Sequence, residues 1–277
     1  MTVLDLHPVR SGIRYTLRGI FETEAEAQAK ATQLVADGLE ALGYTDVAPD
    51  GKTLFFVAAR HHVEPTSRAG IPHTRSAAWD VTRFAIALFR TLTKDRAGRP
   101  PVRWYKDLDV QTLHSKIQGF ETLGNTNGER AAALLSSLIV AHPFPNANHR
   151  TSLDLVRYYF ASLGIQWPYE LRGAGRDRFH RDTKKFFVES KYLLQLIRHK
   201  MLLRRAHGHG YRVLEIGPNA TRDLVEADLT LRDNEVTKRH RSLCLKTIQG
   251  LGAIAVHAKI TASPVQGLEA WANWLNG

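Results

Sequence analysis

The residues best suited to chemistry lie in one ten-residue stretch: His142, Pro143, Phe144, Pro145, Asn146, Ala147, Asn148, His149, Arg150 and Thr151. Imidazole titrates near neutral pH, so His142 can take a proton from an attacking hydroxyl. Ala147 and Asn148 allow a backbone to come close to phosphate oxygens. Arg150 brings a planar fork of donors that fits a phosphate. Together these types point to phosphate chemistry, which acts by positioning and by stabilising transition-state charge. Singly, each has a structural alternative: a histidine at a helix C-terminus, a turn asparagine, a surface arginine.

The elements that must position these residues are helices. Glu129 to Ala141 is apolar and rich in helix formers, and in Ser152 to Leu163 the residues Leu153, Val156, Phe160 and Leu163 recur at helical spacing. The stretch thus reads as a loop feeding a helix start, where outward N–H groups and the helix dipole favour an anion.

The run from His142 to Arg150, H-P-F-P-N-A-N-H-R, resembles the signature of the Fic/Doc (Fido) family, H-x-F-x-[DE]-[GA]-N-[GK]-R set between two helices. It is most similar to the Doc-like branch, for which Leu113-His114, the Gly-rich flap from Gly119 to Gly128, the run Arg150 to Leu153 and Gly164-Ile165 stand at corresponding places. The resemblance implies a helical core near residues 104–200 and transfer of phosphate or AMP from ATP to a Ser, Thr or Tyr hydroxyl of a target protein. In that reading His142 and Arg150 are catalytic, Asn146, Ala147, Asn148, His149 and Arg150 hold the nucleotide phosphates, and Phe144 anchors the loop. The flap would dock an extended target segment by strand addition. Two positions depart from the pattern. Asn146 stands where the family has the carboxylate that holds magnesium, and a neutral amide is a weak ligand for that hard cation. His149 stands where AMP-transferring members carry Gly and Doc-like kinases carry Lys, which tilts the expectation toward phosphate transfer. The [ST]-x-x-x-E-[GN] pattern of the family's inhibitory helix does not occur in the chain, so restraint is expected from a separate antitoxin-like partner. The alternative is a non-catalytic Fic-like module that binds nucleotide, nucleic acid or protein.

The fold class expected is mainly α: a Fic/Doc helical core flanked by small α/β attachments. The expected segments are 1–100 (α/β attachment), 101–205 (core) and 206–277 (basic attachment). Within them we expect a strand near Ile13–Phe21, a helix from Glu22 to Leu42 ended by Gly43, and a strand over Lys52–Ala58 after the Pro49-Asp50-Gly51 turn. A loop follows from His61 to Gly70, where the adjacent His61 and His62 make a poor metal site. Further helices are expected over Ser76–Leu92, Asp107–Gln118 and Phe179–Arg205. A Pro/Gly/charge break falls at Thr93–Pro101, and Asn127-Gly128 is placed in a hairpin turn. After an extended run from Ile165 to Tyr169 and a linker-like break at His207–Gly210, helices are expected over 220–231, 234–248 and 267–275, with Trp271 and Trp274 as packing residues.

Composition bounds the rest. Hydrophobic residues make up 43% of 277, enough for a sizeable core, and the single cysteine, Cys244, excludes an internal disulfide framework and reads as a buried small hydrophobe. The net charge of +11 favours anionic partners, nucleic acid among them, although Arg204-Arg205 and Lys238 to Arg241 read as solvated helix faces. The chain has no membrane-spanning run and its start lacks signal-peptide character, so a cytoplasmic location is expected.

Overall fold

The computed structural model describes residues 2–11, 13–61, 74–94, 106–165, 174–217, 220–251 and 264–277. The expected loop beyond His61, most of the break at 93–101 and the extended run after Ile165 lie outside the described residues. In chain order the elements are β1 (Val3–Asp5), β2 (Val9–Arg10), β3 (Ile13–Arg14), β4 (Thr16–Phe21), α1 (Glu24–Ala36), β5 (Leu39–Val47), β6 (Thr53–His61), α2 (Ala77–Lys94), α3 (Val110–Gln118), α4 (Asn127–Ala141), α5 (Asn148–Ser162), α6 (Ala174–Gly208), β7 (Val213–Gly217), β8 (Ala220–Asp223), α7 (Glu226–Thr230), α8 (Asp233–Leu251) and α9 (Leu268–Asn276). The protein is mainly helical with small sheets, as the periodicity predicts.

The chain forms two compact units, each assembled from distant segments: residues 1–64 with 188–237, and residues 65–187 with 238–277. This division falls elsewhere than the expected cuts after 100 and 205. Composition marks where a chain turns polar, whereas the units are set by long-range pairing that composition does not encode.

In the first unit β6 lies between β4 and β5, antiparallel to both. Helix α1 covers one face of this sheet through Ala27 and Leu34, which pack on Val57 and Ala59. It ends at Gly38, in the left-handed region at φ 77°, and not at Gly43; Leu39 to Val47 are all paired with β6. The second sheet joins β1 in parallel to β7, more than two hundred residues away, with β8 antiparallel on its other side. Ala220–Asp223 is therefore a strand and not the start of a helix; pairing with β7 overrides its weak local preference. His209 is no linker residue. It is buried at the end of α6, with Nδ1 2.9 Å from Asp50 Oδ2 and Nε2 3.5 Å from Glu22 Oε1.

The second unit is a helical bundle. Helix α2 packs against α3, α5 and α9, and α4 packs against α3 and α5. Its centre is aromatic: Phe89, Phe120, Phe144, Tyr159, Phe160 and Trp271 are fully buried. Trp271, on α9, has its ring centroid 5.5 Å from that of Phe120 and 5.2 Å from that of Tyr159, whereas Trp274 is exposed. The segment leading into α9 is pinned by the buried Asn127, whose amide donates to Pro264 O at 2.9 Å and accepts from Gln266 N–H at 2.9 Å and Tyr159 O–H at 2.6 Å. The C-terminal segment is thus part of this core and not an attachment to it.

The expected hairpin at Asn127-Gly128 does not form. Gly119–Thr122 is a 3-10 turn, and Asn127 and Gly128 open α4. The cause is a reciprocal cap: Thr126 Oγ1 accepts the Glu129 N–H at 3.2 Å, while Glu129 Oε2 accepts the Asn125 N–H at 3.0 Å. No strand is present between Gly119 and Gly128 to take up a target segment.

Candidate functional site

Helix α4 buries Leu134, Leu135, Leu138 and Ile139, and so delivers His142 to a fixed place at its end. His142 is half-buried and left-handed (φ 56°, ψ 50°), and its N–H still donates to Leu138 O at 2.9 Å. Pro143, Phe144 and Pro145 are buried. The two prolines fix φ and remove two N–H groups that a buried loop would otherwise have to satisfy. Ala147 is again left-handed (φ 54°, ψ 22°), and α5 starts at Asn148. Among the described residues only Ser11, His142 and Ala147 are non-glycine residues with positive φ, so two of the three bound this loop. Each left-handed residue costs about 1–2 kcal/mol, which the surrounding contacts must offset.

Those contacts are specific. Asn148 is 2% exposed, and its side chain grips both backbone groups of Phe144: Oδ1 accepts the Phe144 N–H at 2.9 Å and Nδ2 donates to Phe144 O at 2.8 Å. The Phe144 ring stacks on Phe89 of α2, centroids 5.4 Å apart. The segment before α3 closes the loop from outside, with the Asp109 N–H donating to Pro143 O at 2.9 Å and Lys106 Nζ donating to His142 O. His149 lies edge-on to Phe187 of α6, centroids 5.6 Å apart.

Of the residues expected at the site, His142, Asn146, Ala147, His149 and Arg150 are partly exposed on one short loop and the first turn of α5. Asn148 differs: its amide holds the loop closed and is spent on Phe144. Asn146 Oδ1 accepts the Ala147 N–H at 2.6 Å. The loop carries no carboxylate, and no group of three or more His, Cys, Asp or Glu among the described residues could hold a metal ion. The residues of the loop therefore do not fit a protein-held magnesium ion.

Sequence reasoning missed Lys106, Asp109 and Asp154. Asp109 had a local signal, since its carboxylate caps α3 by accepting the Thr112 N–H at 2.9 Å, but nothing local connects Lys106 or Asp109 to the loop. Asp154, one turn beyond Arg150, is 5% exposed; burial raises its pKa, opposed by the Arg157 guanidinium 2.6 Å away. Below the loop, the hydroxyls of Thr151 and Ser152 are buried with no hydrogen-bond partner among the described residues. His114 is stacked flat on Trp79, centroids 3.8 Å apart, and burial lowers its pKa. His240 of α8 sits with Nδ1 2.8 Å from Ser136 Oγ of α4, and burial pushes it down to about 4. Cys244 is buried beside it, as its apolar neighbours predict.

The unit that holds the loop also holds the surplus charge, with 24 Lys and Arg against 11 Asp and Glu; the first unit has 14 against 16. Anions are drawn to the unit with the loop. Residues 63–273 match the model of a family of unknown function, DUF8172. The chain belongs to that family. The DUF8172 match covers the loop and all of α2 to α8, starts two residues before the second unit, and leaves the sheet of β4, β5 and β6 outside it. No curated protein and no solved structure matches the chain. No helix among the described residues is long and apolar enough to cross a membrane.

Proposed function

We propose that this protein is a Fido-type transferase that moves a phosphate or AMP group from ATP to a Ser, Thr or Tyr hydroxyl of a target protein. The observation that carries the reading is the loop from His142 to Arg150: a base and an arginine at the family's spacing, between two helices, bounded by left-handed residues and clamped by Asn148 and Phe144. His142 takes the proton as the target oxygen attacks phosphorus, and ADP or pyrophosphate leaves. Arg150 and the first turn of α5 face the phosphates, and the basic charge of the unit draws the nucleotide in. Asn148 contributes by holding the backbone in place. We favour terminal-phosphate transfer, because the bulky His149 occupies the place where AMP-transferring members carry Gly. The residues present leave a magnesium ion to the nucleotide's own phosphates. ATP as donor suits a cytoplasmic reaction, and a separate antitoxin-like partner would supply restraint.

The test is incubation of protein, candidate targets and ATP labelled at either the α or the γ phosphate. Transfer of γ label alone supports phosphorylation, and transfer of α label supports AMPylation. His142→Ala should abolish transfer while keeping the fold; full transfer by that variant refutes the mechanism. Asn146 favours a second reading, a nucleotide-binding module without catalysis. Retention of ATP with no transfer of either label would support it, while salt-sensitive retention of DNA or RNA instead would point to nucleic acid.

A further inference from the structure

His142 is held where it is by something outside its own loop. A non-glycine residue at φ 56° does not stay there by local preference. Its N–H donates to Leu138 O of α4, and its carbonyl accepts from Lys106 Nζ. The next carbonyl, that of Pro143, accepts the Asp109 N–H at 2.9 Å. Two consecutive carbonyls at the turning point are thus tied to one four-residue stretch, Lys106 to Asp109. That stretch is itself anchored by the Asp109 cap on α3, whose Leu113 and Ile117 are buried in the bundle. On the other side of the loop, Asn148 binds Phe144 and leaves His142 untouched. The work is divided: Asn148 sets the half of the loop leading to the phosphate end at α5, and the 106–109 strap sets the half carrying the imidazole.

We propose that Lys106 is a positioning residue that locks the His142 backbone in its left-handed conformation, and so aims the imidazole for proton transfer. The inference rests on the transferase reading for its consequence in catalysis, but its structural half stands without that reading. Lys106 acts through a backbone carbonyl, so an arginine, which also donates as a cation, should replace it, and a methionine of similar length should not. A misaimed base costs turnover and not nucleotide affinity.

The experiment compares Lys106→Met, Lys106→Arg and the unaltered full chain by two readouts. Hydrogen exchange at the His142 amide, which donates to Leu138 O, reports the strapped half of the loop without any reaction. Lys106→Met should speed it roughly tenfold while the helix α4 amides hold their rates, and Lys106→Arg should restore it. In the transfer assay Lys106→Met should lower kcat roughly ten- to a hundredfold with KM for ATP within about twofold, again rescued by arginine. Unchanged loop exchange in Lys106→Met overturns the proposal whatever the activity does. A raised KM with unchanged kcat also overturns it, because Lys106 would then serve nucleotide binding. If the unaltered chain transfers nothing while the exchange result holds, the strap stands and the transferase reading alone fails.

Discussion

Replacing Asn148 by alanine tests how the loop is built. The substitution removes two hydrogen bonds at once, from Phe144 N–H to Oδ1 and from Nδ2 to Phe144 O, and both ends are shielded: Asn148 is 2% exposed and Phe144 0%. An exposed hydrogen bond contributes only about 0.5–1.5 kcal/mol, but a buried donor or acceptor left without a partner costs about 1–3 kcal/mol. With two backbone groups orphaned, and water able to reach them only if the loop opens, the loss should be about 2–4 kcal/mol. For a unit of this size that lowers Tm by roughly 5–15 °C. Asn148→Asp is the companion: it keeps an acceptor for the Phe144 N–H but sets a carboxylate against the Phe144 carbonyl, so it should recover little of the loss. Urea unfolding followed by far-UV circular dichroism gives ΔΔG, and tryptophan fluorescence reports the aromatic core around Trp271. A ΔΔG below about 0.5 kcal/mol for Asn148→Ala would refute the clamp, and so would a fully stable Asn148→Asp.

Other outcomes follow from the same bundle. Trp271→Ala should destabilise by about 3–5 kcal/mol in urea unfolding, because α9 is core; a loss under about 1 kcal/mol would return the C-terminal segment to a mere attachment. His240, held at about 4 by burial against an ordinary 6.5, binds fewer protons folded than unfolded between those values. Its contribution to stability is therefore complete above about 6.5 and lost as pH falls toward 4, a difference of up to about 3 kcal/mol. His240→Gln should flatten the fall in stability measured from pH 7 to pH 5, and an unchanged slope would contradict the burial argument. His142→Ala and Lys106→Met should separate in the assays above, the first losing transfer with the loop intact and the second loosening the loop.

The helices around the loop were legible because their information is local. Leu153, Val156 and Phe160 recur at the spacing of one helical face, and α5 forms there, though it begins four residues before the expected start at Ser152. Phe144 as the anchor was also legible. The misreadings share a cause. Asn127-Gly128 carries a strong hairpin signal, but Thr126 and Glu129 carry a cap signal three residues apart, and the buried Asn127 side chain settles the matter in favour of the helix. Ala220–Asp223 looks locally helical and is a strand because β7 is beside it.

By itself the sequence determined the mainly helical class, the order of the helices flanking the loop, and the histidine-to-arginine spacing from His142 to Arg150. All of these depend on side chains a few residues apart on one chain. Only the tertiary structure decided that Asn148 serves the backbone of Phe144, that Lys106 and Asp109 hold the carbonyls of His142 and Pro143, and that α9 completes the core around Trp271. The reason is physical. A buried N–H or carbonyl must find a partner wherever the packed chain brings one, and that partner's identity depends on which elements meet, which no local spacing records.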